Sequence, residues 1–301
     1  MIVFLYLTTI VVWGTSWLAI QFQLGSVAPA ASVTYRFILS AAIMLPFCWL
    51  TARRLRFSRA QHGRAALQGL LLFSTNYYLI YEGSKYLPSG LVAVIFATVV
   101  IMNILGTTIL FGTRIDRRTL AGAALGMSGI TAVFWPEIVS FDLSREGSLG
   151  LILCLLGTVS ASLGMLTSAV NQRKGMPVLE TNSVGMAYGA LFMGLFTLVA
   201  GESFGFELSA GYVLSLLFLA VFATVIGFWS YLTLVGRIGA DRAGYATVVF
   251  PILALLLSTW FEEFTWTPEA MLGVALVIAG NGFILIRAGE RKIGAAQTGK
   301  P

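Results

Sequence analysis

The stretch SVTYRFILSAAIML, residues 32–45, carries one guanidinium, Arg36, in a run otherwise built for lipid. A charge at that depth is costly unless it is paired or wetted. Its stem can snorkel to the interface. If it faces the interior instead, it pairs with Glu82 or meets a substrate carboxylate. The run STNYYLIYEGS, residues 74–84, is the densest in polar aromatic groups. Helical spacing puts Ser74, Tyr78 and Tyr81 near one face, with Tyr77 and Tyr81 four apart. Asn76 and Tyr77 need hydrogen-bond partners in hydrocarbon, and a wet cavity supplies them. Tyr81 and Tyr86 also suit an interfacial belt.

Other apolar runs carry similar groups. Trp13 and Trp17 stack four apart, with Ser16 and Gln21 nearby. Asn103, Thr158, Ser162, Trp229, Tyr245 and Pro251 follow in later runs. Thr158 and Ser162 carry the weaker signal, because such hydroxyls commonly bond their own helix backbone. Pro251 removes an N–H and kinks its helix. The chemistry these residues support is recognition rather than catalysis. Aromatic walls suit a flat apolar side chain, and the amides and hydroxyls suit amino and carboxylate groups. Trp13, Trp17, Asn76, Tyr77, Tyr78, Tyr81, Asn103, Thr158, Ser162, Trp229 and Tyr245 are therefore the candidate substrate contacts. Aromatic residues also fill ordinary membrane cores, so the pattern alone does not separate the two roles.

The composition sets the frame. Of 301 residues, 57% are hydrophobic and 11% charged, well below the ~25% charged of soluble chains. This is an integral membrane protein. Its net charge of +6 reports membrane orientation rather than a nucleic-acid partner. His62, Cys48 and Cys154 form no metal or redox motif; no metal or cofactor is expected. There is no HExxH, buried His or Asp pair to support an intramembrane enzyme. No acid lies at the centre of an apolar run, which disfavours proton coupling through a buried carboxylate. Sodium coupling through backbone carbonyls stays open. A single intramembrane Arg is poor equipment for phosphorylated substrates, which favour several cations.

A span needs ~20 apolar residues. Ten qualify, at about 2–22, 31–51, 65–83, 88–111, 119–135, 148–170, 181–200, 210–235, 243–261 and 269–287. The first lacks the basic flank and cleavage site of a signal peptide and reads as a span. With the N-terminus inside, only Lys85 and Arg145 among 19 basic residues fall in outer loops, and Arg36 lies within a span. That bias places both termini in the cytoplasm.

Ten spans divide into five and five. GAALGMSG at 122–129 matches GVALVIAG at 273–280, pairing Gly122 with Gly273 and Gly129 with Gly280. WGTSW at 13–17 corresponds to LGTVS at 156–160. An odd count per copy makes the repeat inverted, as in many secondary transporters. The expected units are 1–145, 146–289 and a polar cytoplasmic tail, 290–301. Gly122-xxx-Gly126 and Gly185-xxx-Gly189 are small-xxx-small patterns for close helix packing.

VVWGTSWLAIQ, then Pro29 with YRF at 35–37, then the Gly-rich fifth and tenth spans, resemble the EamA-type branch of the drug/metabolite transporter superfamily. The resemblance covers Ile2 to about Arg287. It implies an all-α fold of ten spans in a 5+5 inverted repeat, both ends cytoplasmic, in a bacterial inner membrane. Within the family the aromatic-rich spans look most like those of aromatic amino-acid exporters. Where the family has Gly-Glu after the fourth span, this chain has Gly112-Thr113, while Glu262-Glu263 occupies the matching place after the ninth. The resemblance places Arg36 outside the aromatic-lined spans, which favours its pairing with Glu82 over a direct substrate contact. The functional expectation is export of amino acids or related metabolites by alternating access, as facilitator or exchanger. Cation-coupled drug export, a channel and an enzyme are the alternatives, and the oligomeric state is open.

Overall fold

The computed structural model describes residues 1–280 except 52, 54, 88, 113–116, 134, 140–144, 239–242, 244, 245, 247, 248, 251, 254, 255 and 258–265. All secondary structure among the described residues is helical. Helices α1 (Ile2–Gln21) and α2 (Pro29–Leu50) come first. Next is a rod made of α3 (Arg59–Leu70), a π-helical segment (Leu71–Thr75) and α4 (Asn76–Gly83). α5 (Ser89–Ala97), α6 (Val99–Phe111), α7 (Arg117–Val133) and the short α8 (Trp135–Val139) follow. α9 (Arg145–Arg173) and α10 (Val178–Val199) are long. A second rod joins α11 (Ala210–Phe218), a π-helical segment (Leu219–Ile226) and α12 (Gly227–Ile238). The last described helix is α13 (Pro268–Gly280).

Five of these are long and apolar enough to cross a membrane: α1, α2, most of α9, α10 and the α11–α12 rod. Shorter apolar helices cover Ile95–Phe111, Leu120–Val133 and α13. The expected ninth span, 243–261, lies largely outside the described residues, and so do Tyr245 and Pro251. The expected fourth span, 88–111, is broken at Thr98 into α5 and α6; the Thr98 hydroxyl donates to Ile95 O at 2.6 Å.

Local chemistry explains the ends. Pro29 opens α2, where a missing N–H is no loss. Ser58 and Gln61 form a reciprocal capping box on α3. Gly112 ends α6 in the left-handed region at φ 62°, a conformation that costs other residues a Cβ clash. On α1, Val3, Phe4, Leu7 and Val11 are exposed while Leu5, Tyr6, Thr9, Ile10, Trp13 and Trp17 are buried. That is a lipid-facing stripe beside an inward stripe on one apolar helix.

Glycine lets the helices meet. A Cβ on Gly164 would touch Leu72 N at 2.9 Å, and one on Gly189 would touch Phe73 O at 2.7 Å. Glycines of α7 and α13 contact each other. A Cβ on Gly129 would meet Gly273 O at 2.6 Å, and one on Gly273 would meet Val133 N at 2.7 Å. A Cβ on Gly280 would meet Gly122 O at 2.8 Å and Gly126 N at 3.0 Å. Without a hydrophobic drive between helices in lipid, such close backbone approach carries the packing.

Candidate functional site

A partly open cavity runs into the bundle between α1, α2 and the first rod. Centres of water-sized molecules can occupy about 50 Å³ of it, room for roughly three to five waters. α1 supplies Trp13, Ser16, Trp17 and Ile20, and α2 supplies Arg36. The first rod supplies Leu72, Asn76, Tyr77 and Ile80. Phe96, Met165, Phe228 and Phe250 close the walls from four further segments.

The π segments explain much of the wiring. A π turn bonds i to i+5 and offers carbonyls and hydroxyls that a regular helix keeps to itself. In the second rod, Ala223 O accepts from Trp13 Nε1 at 3.0 Å, and Ala220 O accepts from Ser40 Oγ at 3.1 Å. Thr224 Oγ1 donates five residues back to Leu219 O at 2.8 Å. In the first rod, Leu71 O accepts from Ser160 Oγ at 2.8 Å. Both rods thus bind side chains of other helices through their π turns.

The aromatic walls are packed rings. Trp13 meets Phe228 edge-on at 5.2 Å and Tyr231 at 4.8 Å. Gly227 makes room for that indole, since a Cβ there would meet Trp13 Nε1 at 2.5 Å. Trp17 meets Phe96 edge-on at 5.6 Å and stacks on Phe250 at 5.9 Å. Its Nε1 is buried and has no partner among the described residues. Asn76 Nδ2 donates to Leu72 O at 3.4 Å, while its Oδ1 is buried and unpartnered.

Arg36 is 2% exposed, which rules out snorkelling. The expected pair with Glu82 is not formed. Arg36 Nε donates to Thr224 Oγ1 at 2.8 Å and Nη1 to Tyr81 Oη at 3.4 Å. Its Cζ sits 4.4 Å from the Tyr77 ring centroid. Glu82 pairs instead with Lys85, three residues on and at 2.8 Å. The reason is reach: Lys85 lies on the same exposed turn, while the guanidinium points into the bundle.

The other candidates divide. Trp13, Trp17, Asn76 and Tyr77 line the cavity with Arg36, and Tyr81 supports it from behind. Tyr78 is half-buried and faces Phe196 at 4.9 Å, away from the cavity. Thr158 bonds its own helix at Cys154 O, 2.7 Å. Ser162 donates to Asn103 Oδ1 at 2.8 Å and Asn103 Nδ2 to Met165 Sδ at 3.4 Å. These two brace a lining residue and do not line the cavity themselves. Trp229 is 42% exposed. The inward face of α12 runs through Phe228 and Tyr231, three apart, and leaves Trp229 on the other side. Thr224, Phe96, Phe228 and Phe250 escaped the sequence reading, since nothing marks an apolar or hydroxyl residue as inward. The glycines Gly122, Gly126, Gly273 and Gly280 lie away from the cavity, at the α7–α13 contact.

One turn from Leu72 on the same rod, a second buried polar cluster has no access to the cavity walls. Gln68 Nε2 donates to Asn182 Oδ1 at 2.8 Å, and Asn171 Nδ2 donates to Gln68 Oε1 at 3.0 Å. The neighbouring Glu180 is buried and pairs with the half-exposed Arg53 at 3.4 Å. Among the described residues no group of three or more His, Cys, Asp or Glu is arranged to hold a metal.

The sequence profile of the EamA-like transporter family matches residues 1–135 and 148–286. Protein PagO of Salmonella typhimurium is 23% identical over 286 residues, covering 94% of this chain and 92% of that protein. The inner membrane transporter YedA of Escherichia coli K12 is 26% identical over 290 residues, covering 92% and 90%. One crystal structure superposes with a TM-score of 0.77 at 17% identity, covering 95% of this chain and 97% of the other, which is a likeness of fold.

Proposed function

The chain belongs to the EamA-like transporter family, and from that premise we propose that it exports amino acids with aromatic or large neutral side chains by alternating access. It is a multi-pass inner-membrane protein, and its family and relatives point to a transporter rather than an enzyme. The observation that carries the substrate reading is the cavity walled by Trp13, Trp17, Phe96, Phe228 and Phe250, with Asn76 and Arg36 among the rings. Such a wall suits a flat side chain by burial and offset ring contacts, and a few convergent polar groups orient it. The free space fits waters rather than an aromatic amino acid, so entry requires the walls to part.

The mechanism follows from an inverted repeat of 1–145 and 146–289, both termini and the tail at 290–301 cytoplasmic. Three features support the repeat. The family match falls in two stretches that divide between 135 and 148. The third and eighth spans each carry a π turn. The α7–α13 contact is reciprocal: Gly129 meets Gly273, and Gly122 meets Gly280. The sequence match aligns Gly122 with Gly273 and Gly129 with Gly280, so each position contacts the other's counterpart, the signature of a two-fold contact. Exchanging the conformations of two such halves moves the cavity opening from one side to the other. No Asp or Glu of the described residues lines the cavity, which favours facilitated transport or exchange over proton coupling through a buried carboxylate.

The test is efflux from liposomes holding the purified protein and preloaded with labelled phenylalanine, tryptophan or leucine. Saturable efflux above that of protein-free liposomes is expected. Efflux no faster than from protein-free liposomes for every amino acid contradicts the assignment.

A further inference from the structure

Arg36 is a buried cation with no anion beside it among the described residues. Among the described residues the two ion pairs are Arg53–Glu180 and Lys85–Glu82, and neither reaches it. Its hydrogen bonds go to two neutral hydroxyls, Thr224 and Tyr81, which fix Nε and Nη1. Nη2 has no partner among the described residues. The Tyr77 face offers a cation–π contact, which gains strength where water is excluded. Taking an unpaired ion out of water costs several kcal/mol, so these neutral contacts offset the burial only in part.

The missing partner has a place. Arg36 lines the same cavity as Asn76 and Trp17, which are 4% and 8% exposed. Each keeps one buried polar atom without a partner, the acceptor Asn76 Oδ1 and the donor Trp17 Nε1. The site therefore presents a cation and an N–H donor that call for an anion, and an acceptor that calls for an N–H. All three residues line one cavity, whose other walls are aromatic rings and the aliphatic side chains of Ile20, Leu72, Ile80 and Met165, with Ser16.

We propose that Arg36 is the anion anchor of this cavity and makes a carboxylate on the substrate obligatory. In this arrangement the carboxylate accepts from the guanidinium and from Trp17 Nε1–H. The ammonium group donates to Asn76 Oδ1, and the side chain lies between the rings. Bidentate pairing with a planar guanidinium is what distinguishes Arg from Lys at such a site. The inference rests on the reading of the cavity as the transport site, and it predicts that the amines left by removing the carboxylate are rejected.

The test measures the thermal unfolding midpoint of the purified full-length protein in detergent with three probes. These are L-phenylalanine, 3-phenylpropionate, which lacks the ammonium, and phenethylamine, which lacks the carboxylate. The two carboxylates are expected to raise the midpoint and the amine to leave it unchanged. Arg36→Gln should weaken phenylalanine binding about 10- to 100-fold, as expected for losing a charged hydrogen bond, with partial recovery in Arg36→Lys. Asn76→Leu should erase the preference for phenylalanine over 3-phenylpropionate and keep rejection of the amine. Stabilisation by phenethylamine equal to that by phenylalanine overturns the proposal, and so does unchanged phenylalanine affinity in Arg36→Gln. No response to any probe also overturns it. If Arg36→Gln does not fold, the three probes on the wild type decide alone. Binding of the carboxylates without any transport of amino acids in liposomes leaves the anchor standing and removes the exporter reading, so the two failures are distinct.

Discussion

Replacing Gly273 by Ala tests how α7 and α13 are joined. On the built geometry the new Cβ lies 2.7 Å from Val133 N and against Gly129 O. Both are backbone atoms, which no side-chain rotation can move aside. Ordinary contact begins near 3.4 Å, so α7 and α13 must separate by roughly 0.7 Å to clear Val133 N and by more to clear Gly129 O. A gap of 0.5–1 Å forfeits a quarter to a half of the dispersion energy of each facing atom pair, and overpacking of this kind costs about 1–3 kcal/mol. The assay is thermal unfolding in detergent, where a fall of roughly 2–10 °C is expected. Gly63→Ala is the control. It sits within α3 with no atom within 4 Å of its Cβ, so the better helix propensity of Ala should stabilise by about 0.5–1 kcal/mol. The two changes thus have opposite signs. Adding Gly129→Ala to Gly273→Ala should cost less than the sum of the singles, because both force apart the same contact. A Gly273→Ala protein as stable as Gly63→Ala would refute the close packing of these helices.

Three further outcomes are expected. Trp17→Ala should raise the KM for phenylalanine about 2- to 10-fold, the value of one aromatic contact, while Trp229→Ala leaves it unchanged; equal effects in an efflux assay would argue against the cavity assignment. Gln68→Leu strands the Asn182 and Asn171 amides in a dry interior and should cost about 1–3 kcal/mol for each group left unpaired, read as a lower unfolding midpoint; no change would mean the cluster is hydrated. Hydroxyls of Ser209 and Ser26 hold the Glu207 carboxyl below its usual range. Its folded pKa is depressed, so the contribution is full above the ordinary glutamate range and is lost as pH falls through the lowered value. The gap in unfolding midpoint between wild type and Glu207→Gln should therefore close on acidification, and a gap that widens would reverse the argument.

Much of this architecture was legible in the chain because lipid imposes strict rules. The edges expected at 2–22, 31–51 and 181–200 fall within three residues of α1, α2 and α10. Trp13, Trp17, Asn76 and Tyr77 stood out because polar and amphipathic groups inside apolar runs demand an explanation. Phe96, Phe228 and Phe250 did not, since a phenylalanine facing lipid and one facing a cavity read alike. Trp229 drew attention by its type, yet the inward face of its helix belongs to its neighbour Phe228. The π turns were invisible, because apolar periodicity does not announce an i+5 bond, and with them went Thr224 and the partner of Arg36. Glu82 was a reasonable guess for that partner from charge alone. Which acid a cation reaches depends on side-chain direction, which spacing along a sequence does not fix.

The most direct test of the whole account is counterflow. Liposomes holding the purified protein are loaded with unlabelled phenylalanine, and trace labelled phenylalanine is added outside. Alternating access through the aromatic cavity predicts a transient overshoot of label inside, which decays as the internal pool runs down. Monotonic equilibration would make the protein a channel, and uptake no greater than in protein-free liposomes would contradict transport of this substrate altogether.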